Sequence, residues 1–89
     1  MTTKEAWIII AESFEEQRTF NSIGYCGLCN AVTSLWVVDD ITDEQKHYME
    51  SQIEIAIAPY SYLNNDNKYT DEMRPVRAAL ARKLADESI

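Results

Sequence analysis

Apolar residues recur along this chain with the period of an α-helix in four places, separated by short polar stretches. In the first, Trp7, Ile10, Ala11 and Phe14 are spaced by 3, 4 and 7 from the leading tryptophan and form one stripe, which Ile8 and Ile9 broaden. Thr2-Thr3-Lys4-Glu5 ahead of it has the form of a capping box, with Thr2 as cap and Glu5 reaching back. Glu15, Glu16 and Arg18 carry the end of that helix into solvent. The second helix is expected to start near Cys26 or Gly27, and Leu28, Ala31, Val32, Leu35 and Trp36 give it the clearest period in the chain. Asp39-Asp40 ends it.

A second capping box, Thr42-Asp43-Glu44-Gln45, opens the third helix, with acids in the first turn where the helix dipole favours them. Tyr48, Met49, Gln52, Ile53, Ala56 and Ile57 follow at helical spacing. Ile53-Glu54-Ile55-Ala56-Ile57 also alternates like a strand, but continuity with the capped segment favours helix, and Pro59 stops it. Pro59 to Thr70 is a polar, tyrosine-bearing loop. The last helix is expected from Glu72–Pro75 onward, where proline is tolerated in the first turn, with Val76, Ala79, Leu80, Lys83 and Leu84 as its inner face. The fold class that follows is all-α, a small four-helix bundle-like single domain over residues 1–89. Ile9, Trp36, Ile55 and Tyr60 cannot all be placed inside by these periods, and surplus apolar surface of this kind predicts a homo-oligomer.

Composition supports helices. Two glycines and two prolines are too few for a β-fold that must turn every ten residues or so. The formal net charge of −7 opposes direct DNA or RNA binding and binding to anionic membranes. No apolar run reaches the ~20 residues that cross a bilayer, no cleavage-site pattern follows the first helix, and the expected location is the cytoplasm. The charge is uneven: residues 1–72 carry 13 acids and four bases, while Arg74, Arg77, Arg82 and Lys83 crowd into the last helix.

Cys26-Gly27-Leu28-Cys29 is the motif that looks most like chemistry. At a helix start the dipole and free amides would stabilise a thiolate, and the tetrapeptide resembles the redox site of thioredoxin-like proteins over about five residues. The strand and sheet that fold requires are not predicted, and Cys29 falls beside Leu28 and Val32, where a cysteine acts as a small hydrophobe. A zinc site would need four N/S donors, and beyond this pair the chain offers His47 on a polar helix face, leaving an intersubunit site of two such pairs as the remaining form. No nucleophile–base constellation and no glycine-rich phosphate loop is present, so no enzyme, metal or cofactor is expected.

Two binding chemistries are legible. Tyr60, Tyr62 and Tyr69 offer flat faces for stacking on a base, and Lys68, Arg74 and Arg77 offer cations for phosphate, together the makings of a site for a small nucleotide-like ligand. The plainer alternative is that the tyrosines pin the loop and the cations face water. Separately, rows of carboxylates (Glu12, Glu15, Glu16; Asp39, Asp40, Asp43, Glu44; Glu50, Glu54) on a compact helical body could imitate a phosphate backbone and occupy a basic protein cleft.

With Gly27-Leu28-Cys29-Asn30-Ala31-Val32 in view, the chain resembles a loose group of small bacteriophage proteins of unassigned function. That group combines an N-terminal amphipathic helix, a Gly-[Ile/Leu]-Cys-x-Ala-[Ile/Val] helix start, a tyrosine-containing loop and an arginine-rich last helix. Only the cysteine matching Cys29 recurs in the pattern, which would make Cys26 incidental. The resemblance implies counter-defence, either by sequestering a nucleotide immune signal or by binding a host defence protein. A thiol-redox protein using Cys26 and Cys29 is the third function carried forward.

Overall fold

The structure, a computed structural model, describes residues 1–16, 24–56 and 73–88. These form α1 (Thr3–Glu16), α2 (Gly24–Val37), α3 (Asp43–Ala56) and α4 (Arg74–Glu87), an all-α domain with no strand among the described residues.

Each of the first three helices begins for a visible reason. The Thr2 backbone N–H donates to Glu5 Oε1 at 2.9 Å and the Glu5 N–H donates to Thr2 Oγ1 at 3.1 Å, closing the first capping box. The same reciprocal pair joins Thr42 and Gln45 at 2.7 and 3.1 Å. Gly24, at φ +75°, opens α2 two residues earlier than the sequence reading placed it. The alternating segment around Ile53 is helical as far as Ala56. Pro75 sits in the first turn of α4.

The end of α2 is a Schellman motif. The Asp40 N–H donates to Leu35 O at 2.9 Å and the Asp39 N–H to Trp36 O at 3.1 Å, with Asp39 left-handed at φ +63°. Glycine is the usual occupant of that position, because a Cβ there crowds the following carbonyl. Asp39→Gly is therefore expected to stabilise the fold by about 0.5–1 kcal/mol after the added freedom of the unfolded chain is subtracted. In a domain of this size that is roughly 4 °C in Tm, read by thermal denaturation; an unchanged or lower Tm would contradict it.

The core is a single cluster. Trp7, Ile10, Ala11 and Phe14 of α1 meet Leu28, Val32 and Leu35 of α2, Met49 and Ile53 of α3, and Ala78, Ala81 and Ala85 of α4. The predicted stripes of the first three helices are thus largely inside, apart from Trp36 and Tyr48 at their edges. Trp36 is 40% exposed. Tyr48 lies at the rim with its ring 5.6 Å from that of Trp7. Ile9 and Ile55, which the periods left without a place, are partly buried against this cluster within one chain, while Tyr60 lies outside the described residues. The helices pair as α1 with α4 and α2 with α3. Arg74 at the start of α4 meets the end of α1, and Ser88 at its finish shares a groove with Thr2 and Thr3, so that pair is antiparallel. Tyr25 at the start of α2 bonds Glu54 near the end of α3, so the second pair is antiparallel too.

The inner face of α4 corrects the sequence reading. The buried positions are Arg74, Ala78, Ala81 and Ala85, with Leu84 at the margin, whereas Val76 and Leu80 are 59% and 41% exposed and Ala79 and Lys83 also face outward. Both stripes have helical spacing, and hydrophobic weight favours the one with Val and Leu. Close approach favours the other: alanines on α4 meet α1, whose own Ala6 and Ala11 are fully buried, and short side chains let two backbones draw together.

Candidate functional site

Of the six residues proposed for a nucleotide-like ligand, Tyr60, Tyr62, Lys68 and Tyr69 lie outside the described residues. Arg74 and Arg77 are described, and the first has an internal task. The Arg74 side chain is 4% exposed. Its Nε donates to Phe14 O at 3.0 Å, and its Nη2 to Ser13 O at 2.8 Å and to Ala56 O at 3.0 Å. Its guanidinium carbon lies 5.6 Å from the centre of the Phe14 ring.

Those three carbonyls belong to the last turns of α1 and α3. Neither helix has a basic residue in its last turn. Two negative helix ends, each roughly half a charge, converge on one guanidinium supplied by α4. Arg74 is thus a shared C-terminal cap for two helices, a cation turned inward rather than toward a ligand.

Arg77, one turn further, is half-buried, with Nη1 3.5 Å from Oε1 of the buried Gln52. Arg82 forms a two-pronged pair with Glu15, Nε–Oε2 2.8 Å and Nη2–Oε1 2.7 Å, which holds the Glu15 carboxyl below the usual carboxylate range. Lys46 pairs with Glu50 at 3.0 Å while lying 5.2 Å from the Trp36 ring centre. Of the cationic stretch seen in the sequence, Arg74 and Arg82 are engaged with the protein itself, while Lys83 is exposed. Glu16, Asp39, Asp40, Asp43, Glu44, Asp86 and Glu87 are exposed, against Lys4 and Lys83. The exposed charge of the described residues is therefore predominantly acidic.

The cysteines occupy the first turns of α2, Cys26 exposed and Cys29 half-buried against the core. Burial pushes the Cys29 thiol up, and the carboxylates of Glu54 and Glu50 add to the shift. The Tyr25 hydroxyl donates to Glu54 Oε1, which raises the phenol well above its ordinary value, with burial contributing. The surroundings of Cys29, the second cysteine of the pair, thus oppose thiolate at that position. With iodoacetamide at neutral pH, Cys26 is expected to alkylate about tenfold or more faster than Cys29, resolved by peptide mass mapping. Equal rates would show that Cys29 is neither shielded nor disfavoured as a thiolate. Among the described residues no group of three or more His, Cys, Asp or Glu is placed to hold a metal, and His47 is exposed. No helix among them is long and apolar enough to cross a membrane.

Two surface features remain. An open groove of about 490 Å³ lies between Met1–Lys4, Asp40 and Ser88, with the Thr2 hydroxyl already used in capping. Just ahead of Asp40 in the chain, Trp36, Val37 and Val38 are 40%, 66% and 64% exposed in succession at the end of α2. The Trp36 indole N–H donates to Asp43 Oδ1. The sequence identified Trp36 as surplus to the core but gave no sign that Val37 and Val38 join it. Comparison of the chain with protein-family models, curated proteins and solved structures gives no match.

Proposed function

We propose that this chain is a non-enzymatic binding protein whose acidic exterior occupies a basic region of another protein and blocks it. The carrying observation is the direction of the charges: Arg74 is buried on helix ends and Arg82 is matched to Glu15, while Asp39, Asp40, Asp43, Glu44, Asp86 and Glu87 at one end of the bundle and Glu16 at the other stay in solvent. An acidic field of this kind speeds encounter with a basic partner and disfavours phosphate-bearing ones. The likeness to small phage proteins makes a host defence protein the natural target class. The same charges weigh against capture of a nucleotide signal, because one of the cations assigned to phosphate is committed to carbonyls inside the fold. The described residues form no strand, so the likeness of the cysteine pair to a thioredoxin-like site is confined to the motif itself.

The test is affinity capture on the immobilised chain from a lysate of its natural host, together with calorimetric titration against cyclic and ADP-ribose-derived nucleotides. The expected result is retention of a basic protein, its release by moderate salt, and no heat from the nucleotides. Saturable nucleotide binding, or a retained set indifferent to salt, would overturn the proposal.

A further inference from the structure

Resting on that reading, we propose that the α2–α3 corner is its anchor point: Trp36, Val37 and Val38, framed by Asp39, Asp40 and Asp43, insert into an apolar pocket rimmed by lysine and arginine on a partner protein.

Trp36, Val37 and Val38 are each 40–66% exposed where α2 ends, and as successive positions about 100° apart they surround the tip of that helix, so together they form an apolar helix end and not one face of it. They are held in shape rather than loose. Asp43 accepts from the Trp36 indole and Lys46 lies over its ring, so the largest side chain is already restrained and loses less freedom on docking. Tryptophan set in a small apolar patch is the residue type that most often dominates interface energetics.

The turn beside the ridge carries the second observation. The Schellman turn places Asp39 in the left-handed region, where glycine would sit without steric cost. The residue present instead keeps a carboxylate next to Val38, with Asp40 following and both exposed.

The charges also choose the occupant. A rim of carboxylates is complementary to a rim of lysine and arginine. It repels nucleic acid and anionic lipid, and in a twofold pairing of this chain it would face its own image.

The experiment follows Trp36 fluorescence, assigned by Trp36→Phe, on titration with a synthetic amphipathic Leu/Lys helix, its Leu/Glu counterpart and polylysine. The Leu/Lys peptide is expected to bind saturably with a blue shift, tighter than polylysine, while the Leu/Glu peptide does not bind. Val37→Ser with Val38→Ser, and separately Asp39→Asn with Asp40→Asn, are each expected to weaken the Leu/Lys peptide by about tenfold or more. Asparagine tolerates the left-handed turn, and thermal melts confirm that both double variants are folded. Equal affinity for polylysine and Leu/Lys peptide, or no loss in the serine variant, would overturn the anchor while leaving a charge-led surface standing. Silence toward both basic probes would overturn the acidic-docking reading with it. A wild-type dimer in sedimentation that the serine variant dissolves would assign the ridge to a second copy and overturn the proposal.

Discussion

Arg74→Ala is expected to cost about 3–5 kcal/mol of folding stability, from the loss of three charge-assisted hydrogen bonds and the space the side chain leaves. The loss has three physical parts. Carbonyls of Ser13, Phe14 and Ala56 keep their burial but lose their donors. The negative ends of α1 and α3 then face each other without the cation between them. The space left by the side chain opens beside Phe14, which is 1% exposed. Because small domains sit near the low end of a 5–15 kcal/mol range, a substantial unfolded fraction at physiological temperature is expected. Denaturant unfolding followed by circular dichroism measures it. Arg74→Lys is expected to recover only part of the loss, since one ammonium cannot reproduce the planar fork that reaches three carbonyls. A loss below about 1 kcal/mol for the alanine variant would mean that solvent satisfies those carbonyls and that Arg74 is no keystone.

The second large effect comes from two neighbouring residues on α4. Ala81→Asp is expected to destabilise by about 3 kcal/mol or more, because it places an unpaired carboxylate at a 2% exposed position in the α1–α4 contact. Leu80→Asp is expected to cost only about 1 kcal/mol, since Leu80 is 41% exposed and the loss is partial burial and helix propensity. Hydrophobicity alone predicts the opposite order. Paired melts of the two variants decide the matter, and a larger loss at Leu80 would restore the face read from the sequence.

These two cases also mark what the sequence could and could not convey. Both capping boxes were legible because they are local: Thr2 with Glu5 and Thr42 with Gln45 sit three residues apart and need no tertiary knowledge. The stripes through Phe14, Val32 and Ile53 were legible because large apolar groups at helical spacing have few other uses. The face of α4 was not, because alanine is a weak hydrophobic signal and its value lies in how closely α1 can approach. Arg74 was not, because a guanidinium is read as a surface cation unless one knows that two distant helix ends converge on it. Asp39 was correctly taken as a stop for α2, yet its left-handed turn and its place beside an exposed Trp36-Val37-Val38 ridge arise from the path of the chain. The candidate ligand loop contributed four tyrosine and lysine positions, Tyr60, Tyr62, Lys68 and Tyr69, that lie outside the described residues.

The consequence for function is a change in emphasis. The arginine-rich last helix first suggested a phosphate site. With Arg74 bonded to the ends of two helices and Arg82 matched to Glu15, the start of that helix serves to close the bundle, and among the described residues the exposed surface combines carboxylates with apolar positions at the end of α2 and along the outer face of α4.

Docking of this acidic surface on a basic protein, as proposed above, requires an affinity that depends on salt. The measurement is calorimetric titration of the purified captured partner into the wild-type chain at low and high salt, repeated with a chain carrying Glu16→Gln, Asp40→Asn and Glu44→Gln. The account predicts that the wild-type affinity falls by about tenfold or more across the salt range and that the neutralised chain binds more weakly with a shallower salt dependence. An affinity that is the same at both salt concentrations and unchanged in the neutralised chain would contradict it.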